Sequence, residues 1–106
     1  MTIQQNFYQR PKSFATFAGT GVIVTGVPTT MCNNLQVVVE NVGVTNAIVV
    51  KGKLDKQSAY QTLSTITGAT TGTTVDISKV ESYEIECTTY SASGGTPTLI
   101  ASAVLS

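Results

Sequence analysis

The chain reads as an all-β protein: a single antiparallel β-sandwich or jelly roll of about eight short strands, carrying an extended N-terminal arm. Three observations predict this. Thr and Val recur throughout, and both are stiff at the first side-chain torsion and favour strands. Apolar and polar residues alternate over short runs, and no segment keeps a helical period beyond about two turns. Gly, Ser, Asn and Pro interrupt those runs at close intervals, as turns between sandwich strands require. At 106 residues the chain forms one domain, long enough to bury roughly two thirds of its unfolded surface without a metal or a disulfide.

Residues 1–12 (MTIQQNFYQRPK) are polar, lack a period and close on Pro11, so they read as an arm preceding a β-sandwich domain over 13–106. Fully extended, such an arm reaches about 40 Å, enough to cross onto a neighbouring subunit. Phe7 and Tyr8 interrupt its polar run. They pack back onto their own domain, belong to an arm that is simply disordered, or anchor on a partner, since aromatic residues are favoured at interfaces. Phe7, Tyr8 and Arg10 are the candidate subunit contacts.

Residues 13–18 (SFATFA) and 21–27 (GVIVTGV) are strands whose short Gly-Thr link suggests a hairpin. Pro28, Thr29 and Thr30 break the pattern, and Asn33-Asn34 signals a turn before the strand at 35–42 (LQVVVENV). The middle of that strand is apolar throughout, which suggests cover on both faces. A turn at 41–46 leads to NAIVVKGKL at 46–54. There Ile48, Val50, Gly52 and Leu54 share the expected core face, while Val49, Lys51 and Lys53 share the other.

A polar turn at 55–58 leads to a strand at 60–67, a loop at 68–72 and a strand at 73–77 that puts Val75 and Ile77 on one face. Residues 78–82 have the length of one helical turn. The clearest strand is 82–91, where Tyr83, Ile85 and Cys87 point inward and Glu84, Glu86 and Thr88 outward. A turn at 92–97 and a last strand at 98–105 close the fold.

Charge narrows the function classes. Charged residues make up 11% of the chain and the net charge is zero, against about 25% charged in ordinary soluble domains. The six cations are scattered, so the clustered positive charge that displaces counterions from phosphates is absent, and no nucleic-acid partner is expected. No apolar run approaches the ~20 residues of a membrane span. The N-terminal residues lack the apolar stretch of a signal peptide, which points to residence in a cytoplasm or to exit by another route.

There is no histidine, which removes the commonest general base, the usual nucleophilic triads and most zinc sites. Gly68-Ala69-Thr70-Thr71-Gly72 lacks the Lys and the helix of a phosphate loop. Asp76, Glu81, Glu84 and Glu86 lie close in sequence, but carboxylates on one solvated strand face do not flank a cleft as a glycosidase pair does. Cross-strand pairing with Lys51 and Lys53 is their expected role. Calcium binding lacks a loop signature. No catalytic, metal or cofactor residues are assigned, and the chain is not expected to be an enzyme.

Cys32 and Cys87 are expected as thiols, with Cys87 buried in its strand and Cys32 partly exposed. Tyr60 and Tyr90 are candidate exposed aromatics that could stack on a glycan, although the chain holds no Trp.

The phrases Val50-Lys51-Gly52-Lys53-Leu54, Leu63-Ser64-Thr65-Ile66, Val75-Asp76-Ile77-Ser78 and Leu99-Ile100-Ala101-Ser102 resemble small β-sandwich structural proteins of tailed bacteriophage virions. Capsid decoration (cement) proteins and the sandwich modules of fibres and baseplates are of this kind. The resemblance spans a little over half the chain, from residue 46 onward. It implies a non-enzymatic virion protein, assembled in a host cytoplasm, that binds and stabilises a capsid surface through oligomeric contacts. Its partners would be the major capsid protein or neighbouring virion proteins, and its own copies, often as trimers. The alternative it leaves is a fibre or baseplate module contacting a host glycan or a neighbouring tail protein.

The face assignment in the 82–91 strand is open to a direct test. Ile85→Ala should cost about 2–5 kcal/mol as a core cavity, measured by urea unfolding. A loss below ~1 kcal/mol would put Ile85 on the wrong face.

Overall fold

A computed structural model describes residues 12–29, 32–54 and 59–106. Phe7, Tyr8 and Arg10 of the expected arm, and the turn at 55–58, lie outside the described residues. Eight strands follow one another: β1 (Lys12–Thr16), β2 (Gly21–Pro28), β3 (Asn34–Val42), β4 (Val44–Lys53), β5 (Gln61–Thr67), β6 (Thr70–Asp76), β7 (Ser82–Ala92) and β8 (Thr98–Leu105). They form two four-stranded antiparallel sheets, ordered β1-β8-β3-β6 and β2-β7-β4-β5.

The strand order has a simple origin. β4 pairs with β5, β3 with β6, β2 with β7 and β1 with β8, so the first half of the chain pairs with the second half in reverse. Successive pairs fall in opposite sheets. The β3·β8 and β4·β7 ladders then join the two pairs within each sheet. That arrangement is an eight-stranded jelly roll, one of the two architectures the sequence allows.

One expectation fails here. β1 and β2 are not a hairpin; β1 pairs with β8 in one sheet and β2 with β7 in the other. Ala15 and Phe17 from the first segment and Val24 from the second must reach one core from opposite sides. A mutual hairpin would also leave β7 and β8 as open sheet edges.

The core lies between the sheets. From one side come Ala15, Leu35, Val37, Val39, Val75 and the alternating Leu99, Ala101, Ala103 and Leu105. From the other come Val24, Ile48, Val50, Ile66, Tyr83, Ile85 and Cys87. The inward assignment of Tyr83, Ile85 and Cys87 holds, with all three fully buried. Val75 and Ile77 are buried as expected. One polar tie crosses the core: the hydroxyls of Ser13 on β1 and Tyr83 on β7 share a hydrogen bond at 2.5 Å. Among the described residues no buried side-chain oxygen or nitrogen lacks a partner, as a stable interior demands.

Several local expectations shift. Leu54 lies beyond the end of β4 and is 45% exposed, so it is not a core residue. β3 is covered on one face only, since Val37 and Val39 are buried but Val42 is 63% exposed. Residues 77–80 form a β-turn and not a helical turn: the Val80 amide donates to the Ile77 carbonyl at 3.0 Å and the Ser78 amide to Asp76 Oδ1 at 2.9 Å. The Gly-rich loop at 68–72 is shorter than expected, because β6 begins at Thr70.

The turn expected at 41–46 contracts to Gly43, a corner where the chain changes sheets with φ +67°. That backbone region suits glycine. The Asn41 side-chain amide brackets the corner by donating to the Val44 carbonyl at 2.7 Å and to Asn46 Oδ1 at 2.5 Å.

Gly52 is required for a different reason. A methyl group there would sit 2.7 Å from both Leu63 Cδ1 and Val80 Cγ1. Gly52→Ala should therefore lower stability by about 1–3 kcal/mol through overpacking, read from the urea midpoint. An unchanged midpoint would mean that Leu63 and Val80 move aside without loss.

Candidate interaction surfaces

The sandwich presents two outer faces of opposite character. On the β2-β7-β4-β5 sheet the expected cross-strand pairing of acids with Lys51 and Lys53 is met in part, by Lys51. Lys51 lies directly opposite Glu84 in register, yet its ammonium pairs diagonally with Glu86, Nζ to Oε1 2.5 Å. The Glu86 carboxylate holds the Lys51 ammonium above its usual range. Glu84 is buried and accepts a hydrogen bond from Thr25 Oγ1 at 3.1 Å. The ammonium of Lys53 sits 5.1 Å from the centre of the Tyr60 ring, a cation–π contact.

Tyr60 is half-buried, not exposed: its hydroxyl accepts from the Gly26 amide at 3.1 Å and lies 3.3 Å from Ser82 Oγ. Tyr90 is also half-buried and packs against the core. A register shift between Ala47 and Ile48 explains it. The ladder passes from Cys87 to Thr89, so Thr88 is an extra residue and the alternation of β7 flips beyond it. Tyr90 then stands opposite Asn46, whose side chain is buried. The two tyrosines proposed as exposed platforms are thus engaged within the domain.

The outer face of the β1-β8-β3-β6 sheet is apolar at its centre. Register aligns Phe14, Ser102 and Val38 in one row, Thr16, Ile100 and Glu40 in the next, and Thr98 with Val42 in a third. Val104 lies in the row on the other side of Phe14. Phe14, Val38, Val42, Ile100 and Val104 therefore form a connected patch through opposite and diagonal neighbours. Phe14 is 67% and Val42 63% exposed. An open depression on this face is lined by Val38, Glu40, Val42, Ala69, Thr70 and Thr71.

Sequence reasoning missed this patch. The available signal was parity: Phe14 and Phe17 lie three apart, and a strand can turn only one of them inward. Phe17 is buried and Phe14 projects out.

Neither cysteine is in a disulfide; Cys87 is buried and Cys32 half-exposed. Burial raises the Cys87 thiol above its ordinary value, and its S–H donates to the Thr89 carbonyl at 3.2 Å. Burial likewise raises the Tyr83 phenol, against the opposing effect of the Ser13 hydrogen bond. Among the described residues no group of three or more His, Cys, Asp or Glu side chains is placed to hold a metal ion, and no helix is long and apolar enough to cross a membrane.

No protein-family model matches the chain, and no curated protein matches its sequence. Among solved structures it is similar to the SPBc2 prophage-derived protein YomS, at 10% identity and a TM-score of 0.55, over 92% of this chain and 97% of that one. The likeness is one of fold.

Two buried groups make stability sensitive to alkali. Cys87 and Tyr83 hold their protons more tightly when folded than at their ordinary values of 9.0 and 10.0. The stability they contribute is complete below those values and is lost as pH rises through the folded ones. Urea midpoints should be flat near neutrality and fall above about pH 9. Tyr83→Phe should shallow that fall; an equally steep fall in the variant would place its origin elsewhere.

Proposed function

We propose that this protein is a non-enzymatic structural component of a bacteriophage virion, most specifically a decoration or cement protein that binds a capsid surface and stabilises it through oligomeric contacts. The observation that carries the reading is the exposed apolar patch on one sheet of a rigid jelly roll whose fold is similar to a prophage-derived protein. Jelly rolls are common in viral capsids, which is an analogy of fold and not of site. The surface chemistry supports the same reading. Lys51 is paired with Glu86, Thr25 donates to Glu84, and Asp76 accepts from the Ser78 amide. These carboxylates are thus engaged in structural contacts, while the large apolar side chains on the other face await a partner. On this reading its partners are the major capsid protein or its neighbours, and other copies of itself, a trimer being the arrangement expected from the resemblance. It would assemble in the host cytoplasm and reside in the virion.

A fibre or baseplate module seated on a neighbouring tail protein would use the same apolar face. The glycan-binding version of that alternative loses support, because the Tyr60 and Tyr90 rings are half-buried in internal contacts.

Mass spectrometry of intact virions should find the protein in many copies per particle. Few copies would favour the tail alternative, and absence from virions would overturn the reading. In the same system, deleting residues 1–12 should leave the circular dichroism of the fold intact and weaken assembly. Unchanged assembly by the truncated chain would remove the arm from the subunit contacts.

A further inference from the structure

We propose that the apolar outer face of the β1-β8-β3-β6 sheet is the seat for residues 1–11 of a second copy of this chain. The inference rests on the reading of the protein as an assembling structural subunit and assigns the two surfaces that meet. The seat is defined by register. Phe14, Ile100, Val38 and Val42 form its apolar floor, and Glu40 stands beside Ile100 at its margin. The Glu40 carboxylate makes no hydrogen bond or ion pair with any described residue, unlike those of Glu84 and Glu86 on the opposite sheet. A carboxylate at the rim of an apolar patch selects a partner that carries both an apolar group and a cation.

Residues 1–11 offer that combination. They contain Ile3, Phe7 and Tyr8, and Arg10 as their only charged side chain. In extended backbone, residues two apart lie on one side, about 7 Å from each other. Tyr8 and Arg10 are so related, and Ile100 and Glu40 are nearest neighbours across a ladder. Tyr8 over the apolar floor and Arg10 on the Glu40 carboxylate satisfy both halves of the seat, and a guanidinium can bond a carboxylate through two parallel N–H groups.

The geometry of β1 assigns the segment to another copy. β1 starts at Lys12, opposite Val104, and the seat lies in the opposite direction along the strand. Reaching its own seat would need a tight reversal immediately before Lys12. Proline at position 11 fixes its own φ and biases Arg10 toward extended backbone, so a segment that runs on from β1 without reversing keeps the backbone this pair favours. Eleven residues span up to about 36 Å, well beyond the ~14 Å width of four paired strands, so a neighbour is within reach.

Charge reversal tests the pairing in the full chain. Sedimentation equilibrium of the unaltered protein should show self-association. Arg10→Glu and Glu40→Arg should each weaken it about tenfold, and the double variant should recover to within about threefold, as a direct charge pair requires. Phe14→Ser should also weaken association by about tenfold with unchanged circular dichroism, because Phe14 is exposed and lies outside the core.

Oligomers unaffected by both single reversals and by Phe14→Ser would overturn this inference and leave the structural-subunit reading standing. Weakening by both reversals without recovery in the double variant would overturn the Arg10–Glu40 contact. A protein that remains an 11.1 kDa monomer at all concentrations would overturn the second copy as the occupant. If Arg10→Glu or Phe14→Ser in that monomer raised the binding of an apolar dye, the seat would belong to the chain's own arm.

Discussion

The reverse-order pairing of the chain's two halves is the constraint on which the rest depends. Only β4 and β5 pair with a chain neighbour; each further pair, β3·β6, β2·β7 and β1·β8, joins strands more distant in sequence. Each pair outward from that centre closes a loop already shortened by the pair before it. Loop closure grows costly only slowly with length, but the contacts that reward it are non-local, so such a topology folds on the slow side of the range for its size. Sheet membership, the face each residue occupies and the chain end carried by the β1 edge all descend from this pattern.

Within that frame β7 and β4 are the axis. They form the inner pair of one sheet, and β7 contributes Tyr83, Ile85 and Cys87 to the core. The Tyr83 hydroxyl reaches Ser13 on the edge strand of the opposite sheet. Two sheets sliding over a wholly apolar interface would have few directional restraints. The satisfied polar contact between β7 and β1 supplies one, since leaving either hydroxyl unpaired there carries a desolvation cost.

Much of this was legible in the sequence because alternation with period two encodes a face directly. All eight strands, the inward residues of β7 and the turn-rich connections could be read in that way. The errors of face in β2, β4 and β7 share one cause, which is that parity holds only along an unbroken ladder. Val22 lies opposite Glu86 on the outer face while Val24 lies opposite Ile85 in the core, the two separated by a register shift. The shift after Cys87 turns Tyr90 inward, and the end of β4 at Lys53 releases Leu54 from the core. Bulges and strand ends depend on partners distant in the chain, which a local pattern does not contain. The Phe14 patch was hidden for a related reason, the dependence of a face on a distant partner strand. SFATFA has two aromatics and two alanines, and only knowledge of where β1 pairs with β8 decides which aromatic turns out.

The two outer faces then separate two uses of the same Thr-rich, charge-poor strand. On the β2-β7-β4-β5 sheet, Lys51 with Glu86, Thr25 with Glu84 and Lys53 with Tyr60 satisfy one another, and Val22 is the exposed large apolar side chain among them. On the other sheet, exposed Phe14 and Val42 stand in water, and the Glu40 carboxylate beside them has no partner among the described residues. A net charge of zero opposes self-association little, since solubility at close approach rests on like-charge repulsion. An exposed apolar sheet face in such a protein is a liability if the chain is meant to remain alone. It becomes a consistent choice if that face is covered in an assembly, because the low charge that weakens solubility also lowers the desolvation cost of bringing subunits together.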